Sequence, residues 1–488
     1  LNSIIPENRR LRHRPNQVFS PRRVSNTGVD SELIRRTRVL KYITAGPMDG
    51  RSAMESGQGV RGPSMPRRAR RALLVAAVAL HATFFAAHAE DAPAEKPSAP
   101  ASGLLSLWDP TTSPFIPIPE IGTDPNSGTT YGFLPVFLHS EHDQISRIIA
   151  PDVTYNPDLG YGGNFRIFSY PSTDEQWSLV GGAKQKVEHG VDGAYTNGIL
   201  RQRDWSYSGH LVYDRSATGR FFGIGNQSFK ANQSNYTDEQ AYFETTLGRN
   251  FSPDLQLALN LRPRYVQIEH GTFGSLPSTN VAFPTLVGLG NQHEFLNRLF
   301  LSYDTRDSTT VPTHGSQLVG YLGVADKAFL SSASYSRFGV DARHFQPLDD
   351  RLTLAGHFSL QYMNAGNDVP FWALSSLGGD RSVLAERQPL RGFGADRFLD
   401  RNVFSTTVEL RRKIWDVNLF TTDLSLEMAP FIDAGRVFHN IDDNPVDHLH
   451  VAGGLGMRAV AKPFIVGYLD IGSGGEGVAI FSGINYPF

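Results

Sequence analysis

From about Ser146 to the C-terminus, apolar and polar residues alternate with a period of two rather than 3.6, the pattern of strands with two unlike faces. It is clearest late in the chain. Across 351–363, Leu352, Leu354, Phe358, Leu360 and Tyr362 share one face, while Arg351, Thr353, His357, Ser359 and Gln361 share the other. Across 403–414, Phe404, Val408, Leu410 and Ile414 oppose Ser405, Thr407, Glu409, Arg411 and Lys413. Across 422–435, Leu424, Leu426, Met428, Ile432 and Ala434 oppose Asp423, Ser425, Glu427 and Asp433. A β-sandwich would bury its apolar face and solvate its polar one over short strands. Here the strands run long, the polar face is charged, and short turns such as QPLDD (346–350) alternate with long connections. Apolar residues facing lipid and charges facing a wet lumen satisfy that pattern. The expectation is an all-β fold: a sixteen-stranded antiparallel transmembrane β-barrel over 145–488, with a long loop folded into the lumen. The late strands are expected near 295–306, 314–325, 332–346, 350–363, 402–414, 420–435, 449–461, 462–473 and 476–487.

The chain upstream reads differently. Met65 opens a basic stretch with Arg67, Arg68, Arg70 and Arg71, followed by an apolar run over 72–87 and the small-x-small site Ala87-His88-Ala89. That is a secretory signal peptide over 65–89, too short and too abruptly followed by polar residues for a membrane anchor. Residues 1–64 are Arg-rich and aperiodic, and are read as a spurious or disordered extension. Residues 90–144, rich in Pro and Ala at their start, are read as a periplasmic lead.

Charge divides the same way. Residues 1–71 hold 15 Arg and one Lys against five acidic residues, while the whole chain has a net charge of −2, so the remainder is acidic. An acidic body excludes nucleic acid as a partner, because phosphate binding needs clustered Lys and Arg. There is no cysteine, hence neither disulfide nor thiolate metal site.

The longest break in the alternation, 364–401, contains PLRGFGADRF. Loops of that length are uncommon and often functional. Parity puts Glu409 and Asp433 on the charged faces of the two strands that follow. A loop turned inward could set Arg391 against Asp433, with Glu409 nearby, since a guanidinium fork matches a carboxylate. On spacing alone, a solvated loop arginine is the competing reading.

LRGF in a long loop, FIDAG on the next-but-one strand, LSYDTRDSTTVPTHGSQL before them and FFGIGN earlier together resemble the BamA/TamA superfamily of outer-membrane assembly and translocation barrels, the bacterial surface antigen domain. The resemblance covers about 145–488. It implies that Arg391, Gly392 and Phe393 form a loop tip. It implies that Phe431, Asp433 and Gly435 form the receiving strand, and that Glu409 is an acidic lumenal position. It also aligns Asp304, Arg306 and Asp307, with Pro312 and Gly315, to a family strand and its periplasmic turn. Tyr486 and Phe488 would be the C-terminal signal read by the barrel assembly machine. The implied setting is the Gram-negative outer membrane, with outer-membrane lipid and a client protein or periplasmic partner as contacts. The segment ahead of the barrel is short for the POTRA repeats carried by insertion members of the family.

Other clusters carry less. FFGIGNQS and VGLGNQHE echo phosphate loops but lead into no helix. HSEHD (His139, Glu141, His142) and DHLH (Asp447, His448, His450) are short clusters at loops, more often solvated than metal-bound. No nucleophile with a nearby base is evident, so no catalytic residue, cofactor or metal is expected. The favoured reading is insertion or translocation of proteins, or perturbation of lipid, at the outer membrane. A passive porin-like channel and a barrel-embedded lipid hydrolase are the alternatives.

Overall fold

The computed structural model describes residues 115–141, 144–272, 275–419, 422–461, 465–484, 486 and 488. The expected extension and signal peptide, and the start of the lead, lie outside them. The described residues build one large antiparallel sheet and a small separate one of three short strands. The strands of the large sheet are β1 (Phe115–Asp124), β2 (Gly128–Glu141), β3 (Gln144–Ile149 and Asp152–Asn156), β4 (Gly160–Ser172), β5 (Glu175–Lys184) and β6 (His189–Asn197). Next come β7 (Trp205–Phe221), β8 (Ser234–Asn250), β9 (Leu255–His270), β10 (Gly290–Asp304), β11 (Gly315–Ala325) and β12 (Tyr335–Asp349). The last six are β13 (Leu352–Ala365), β14 (Asn402–Leu419), β15 (Thr422–Phe438), β16 (His450–Ala461), β17 (Ile465–Ser473) and β18 (Val478–Ile484). The two halves of β3 count as one strand because both lie between β2 and β4.

Each strand pairs with the next, and β1 meets β18 at Thr123 opposite Ile480, which closes the barrel. Closure is what lets a sheet cross lipid, since an open edge would leave backbone groups unsatisfied there.

The barrel therefore has eighteen strands among the described residues, not the expected sixteen. The extra pair, β1 and β2, lies ahead of 145, in the segment read as a periplasmic lead. The reason is the prolines in FIPIPEIGTD, which read as turn chemistry. Pro117 and Pro119 are two residues apart, so both missing N–H groups fall on one edge of β1. That strand borders the seam, and proline is tolerated on such edges. From β3 onward the order and late positions agree with the alternation to within a few residues.

The barrel is inside-out relative to a soluble core. Val408, Ile432 and Leu322 are 49%, 61% and 50% exposed, while Thr407, Glu409 and Asp433 are wholly buried. The same split runs along β13, where Leu354 and Phe358 are exposed and His357, Ser359 and Gln361 are not. The apolar face looks outward and the charged face inward, as lipid demands.

Connections also sort by end. Those at 172–175, 349–352 and 419–422 are tight, whereas 221–234, 270–290, 365–402 and 438–450 lie at the opposite end. In barrels of this kind the short turns are periplasmic.

Candidate functional site

The segment between β13 and β14 is ordered rather than trailing. It forms a small sheet of Ser375–Leu377, Arg387–Gln388 and Phe398–Asp400, the first two parallel and the outer pair antiparallel. Between them the chain turns at Arg391, one of the largest fully buried side chains in the protein.

Arg391 is held by Asp433 three times over. Its backbone N–H donates to Oδ2 at 2.9 Å, its Nε to the same oxygen at 2.9 Å, and its Nη2 to Oδ1 at 2.8 Å. Thr407, opposite Asp433 in the β14–β15 register, donates its hydroxyl to Oδ1 at 2.9 Å. That saturates the four acceptor sites of the carboxylate. Arg391 Nη1 donates to Glu409 Oε1 at 2.5 Å and to Asp470 Oδ2 at 3.1 Å. Its guanidinium carbon stands 3.6 Å from the centre of the Phe431 ring, a cation–π contact between buried groups. Two further arginines complete the cluster. Arg458 donates to Asp470 at 2.5 Å and to Glu409 at 3.3 Å, and Arg411 Nε donates to Glu409 Oε2 at 2.9 Å. Three cations face three carboxylates, so the buried cluster is charge-balanced, with Glu409 and Asp470 shared between arginines and Asp433 held by Arg391 alone.

Glycine makes the approach possible. A Cβ on Gly472 would lie 1.6 Å from the Arg391 carbonyl oxygen, and one on Gly392 would lie 2.3 Å from the Gly474 nitrogen. The tip thus presses backbone to backbone against β17 and the residues after it. Phe393 is buried beside Phe398 and His450, with ring centroids at 5.4 and 6.0 Å, in a cluster with Leu377, Leu390, Val403 and Val437. Gly435 leaves room for Leu377, whose side chain would stand 3.0 Å from an added Cβ.

A second anchor of opposite sign holds the same segment to the far wall. Glu386 accepts from Arg262 on β9 and, at 3.5 Å, from Arg298 on β10. Arg262 also bonds Glu294 at 3.0 Å, and Arg298 pairs with Glu244 at 2.8 Å. Arg337 on β12 donates to the carbonyls of Ala373 and Ala385. Glu386→Gln is expected to weaken this anchor by about 1–3 kcal/mol, since both arginines keep one carboxylate each. Limited proteolysis checks it: cleavage between 379 and 388 should rise while the Arg391 tip stays protected.

The remaining expected positions fall as follows. Asp304 takes a bidentate bond from Arg306, at 2.8 and 2.7 Å. Asp307 accepts the N–H groups of Thr313 and His314 and the Thr313 hydroxyl. Burial would raise the Asp307 carboxyl, but these donors hold it below its ordinary value. The turn is therefore tied while Asp307 is charged and loosens only as pH falls through that lowered pKa. Pro312 is buried in this turn. Gly315 has φ of +98°, and an added Cβ would meet the Thr305 carbonyl at 2.2 Å. Gly315→Ala is expected to cost at least about 1–2 kcal/mol for the left-handed backbone alone. It should be read as a lower heat-modifiability midpoint on gels.

Tyr486 and Phe488 depart from their parity. Continuing β18 would set them outward with Ile480, but the strand ends at Ile484. Arg411 then lies 3.9 Å from the Tyr486 ring and 5.1 Å from that of Phe488. Phe488 stacks on His357 at 5.2 Å, and Tyr486 donates to Glu427 at 2.8 Å. Both aromatics sit against the charged face, not the lipid face.

Arg391, Gly392, Phe393, Glu409, Phe431, Asp433 and Gly435 are brought together. The Asp304–Gly315 group forms a separate turn. Sequence reasoning missed Asp470, Arg458, Arg411, Glu386 and Gly472. One signal was available: YLDIG (468–472) repeats the aromatic-aliphatic-Asp-x-Gly pattern of FIDAG (431–435) two strands later. Of the short clusters, His139 pairs with Glu141 at 3.3 Å and His448 with Asp447 at 2.8 Å, and His142 lies outside the described residues. Among the described residues no three metal-ligating side chains converge.

A family model, the Omp85 superfamily domain, matches residues 180–458, more than half of the chain. The chain belongs to the Omp85 superfamily. This Omp85 chain is thus a barrel of the Gram-negative outer membrane, in the group that the BamA/TamA resemblance indicated. Among solved structures it is similar to BamA from Haemophilus ducreyi lacking POTRA domains 1-3, at 15% identity over 78% of this chain and 76% of that one, with a TM-score of 0.44. It is also similar to CdiB from Escherichia coli, at 12% identity, 78% and 63% coverage and a TM-score of 0.42. For CdiB from Acinetobacter baumannii the values are 14%, 76%, 65% and 0.41. No curated protein matches the chain.

Proposed function

We propose that this Omp85 barrel inserts or translocates polypeptide at the outer membrane, with the 365–402 loop occupying the lumen as a plug. The observation that carries the reading is the buried Arg391 cluster. It fixes the loop tip to β14, β15 and β17, the wall next to the seam, while Glu386 fixes the loop to β9 and β10.

The seam is the second element of the proposal. Strand β1 pairs with β2 over its whole length and β18 with β17 over its own, yet Thr123–Ile480 is the described register pair between them. A joint with a single described register pair is where a client strand would enter. Arg391, Gly392, Phe393, Asp433 and Glu409 act here as a lock and do no bond-making chemistry. Tyr486 and Phe488 would serve the assembly machine before they turn inward.

Deleting the gene and quantifying the outer-membrane proteome tests the reading. A fall in one or more barrels or surface proteins is the expected result. An unchanged proteome, together with steady large conductance from the purified barrel, would remove it in favour of a channel.

A further inference from the structure

At the end of the barrel with the long connections lies a concavity of about 490 Å³, apart from the Arg391 cluster. Its wall is the unbroken run Phe222–Phe229, completed by Asn232, Arg436 and His448. The run covers most of FFGIGNQS (221–228), whose glycines suggest a phosphate loop but which leads only into a three-residue 3₁₀ turn at Lys230–Asn232.

The glycines do something else. Gly223 and Gly225 take φ of +104° and +109°, and Ile224 between them does not. Positive φ at two residues out of three curls the backbone into an arc along the concavity. The arc is braced by hydrogen bonds to the rest of this end of the barrel. Gly225 N–H donates to the Leu399 carbonyl at 2.8 Å. Asn226 accepts from the Val437 N–H at 3.1 Å and donates to the His448 carbonyl at 2.9 Å. Arg397 donates to the Ser228 hydroxyl and carbonyl, both at 2.9 Å.

Charge is the second observation. Arg436 bonds only carbonyls, that of Asn444 at 2.7 Å and that of Val437 at 3.5 Å, and makes no ion pair among the described residues. A guanidinium bonded only to carbonyls on a concave wall points to an anion from outside. Beside it stand the amides of Gln227 and Asn232, and Phe229, which is 73% exposed. Amides, a hydroxyl and an open aromatic ring suit sugar hydroxyls and a sugar's apolar face.

We propose that this concavity binds an anionic saccharide, its carboxylate or phosphate on Arg436, its ring against Phe229. Because the long connections face the exterior, such chains have two sources: the phosphorylated core of the cell's own lipopolysaccharide, or an acidic polysaccharide from outside.

The test is saturation-transfer NMR on the purified full barrel. The probes are phosphorylated lipopolysaccharide core oligosaccharide, a hyaluronan tetrasaccharide, and neutral maltotetraose. At least one acidic probe is expected to bind at least tenfold more tightly than maltotetraose. Arg436→Gln and Phe229→Ser should each weaken that binding at least tenfold and leave heat-modifiability unchanged. Binding of the core probe alone assigns the source to the membrane itself, and of hyaluronan alone to the exterior. No acidic binding at millimolar probe, equal binding of maltotetraose, or an unaffected Arg436→Gln variant would overturn the proposal. None of these outcomes depends on whether the barrel moves polypeptide.

Discussion

Arg391→Ala is expected to free the loop tip while leaving the barrel closed. Removing the guanidinium strips Asp433 of two of its four donors and leaves Glu409 and Asp470 with fewer cations in a fully buried site. Breaking a buried pair by deleting one partner costs about 3–5 kcal/mol, because the other charge remains buried and unmatched. The wall itself is held by strand hydrogen bonds, so the loss should fall on the loop. Proteolysis from the long-connection side should cut within 379–398 in the variant and not in the parent, and single-channel conductance should rise. Arg391→Lys should recover only part of the protection, since an ammonium keeps the charge and lacks the fork. Asp433→Ala should loosen the tip as well, and the double variant should cost less than the sum of the singles. Equal protease resistance in parent and Arg391→Ala would remove the lock.

Gly472→Ala is expected to give nearly the same release with every charge in place. The added methyl would stand 1.6 Å from the Arg391 carbonyl oxygen, and this obstacle is backbone, which cannot swing aside as a side chain can. Nor can the tip yield locally. Its N–H is tied to Asp433, and Gly392 already lies against the backbone at Gly474. The tip must therefore lift off β17. The comparison is Gly453→Ala, one strand away, where an added Cβ meets nothing nearer than 3.7 Å. Protease sensitivity of Gly472→Ala with a silent Gly453→Ala is the expected pair. A fully protected Gly472→Ala loop would mean that the close approach does not hold the tip.

The two variants separate two contributions that the wild-type site combines. Arg391 supplies attraction, while the glycines of β17 and of the tip supply the space in which it acts. A side chain with the right charge on a loop that could not approach would remain solvated and contribute little.

The alternation of residues by itself determined that this chain is a barrel, which face meets lipid, and where the late strands lie. Period-two patterning is local, and lipid enforces it along every strand. Parity alone set Glu409 and Asp433 on the charged face, and a long break marked the loop. Three things needed the tertiary structure. The strand at 115–124 was hidden by prolines whose placement beside the seam emerges only on closure, and the strand at 128–141 pairs with it. The contributions of Asp470, Arg458 and Glu386 depend on which strands stand across from one another, a property of barrel curvature and not of any segment. Tyr486 and Phe488 followed no parity because β18 ends before them, and the inward turn brings them to Arg411 and His357. Alternation tells a strand which way its side chains point. Only closure of the ring determines what they point at.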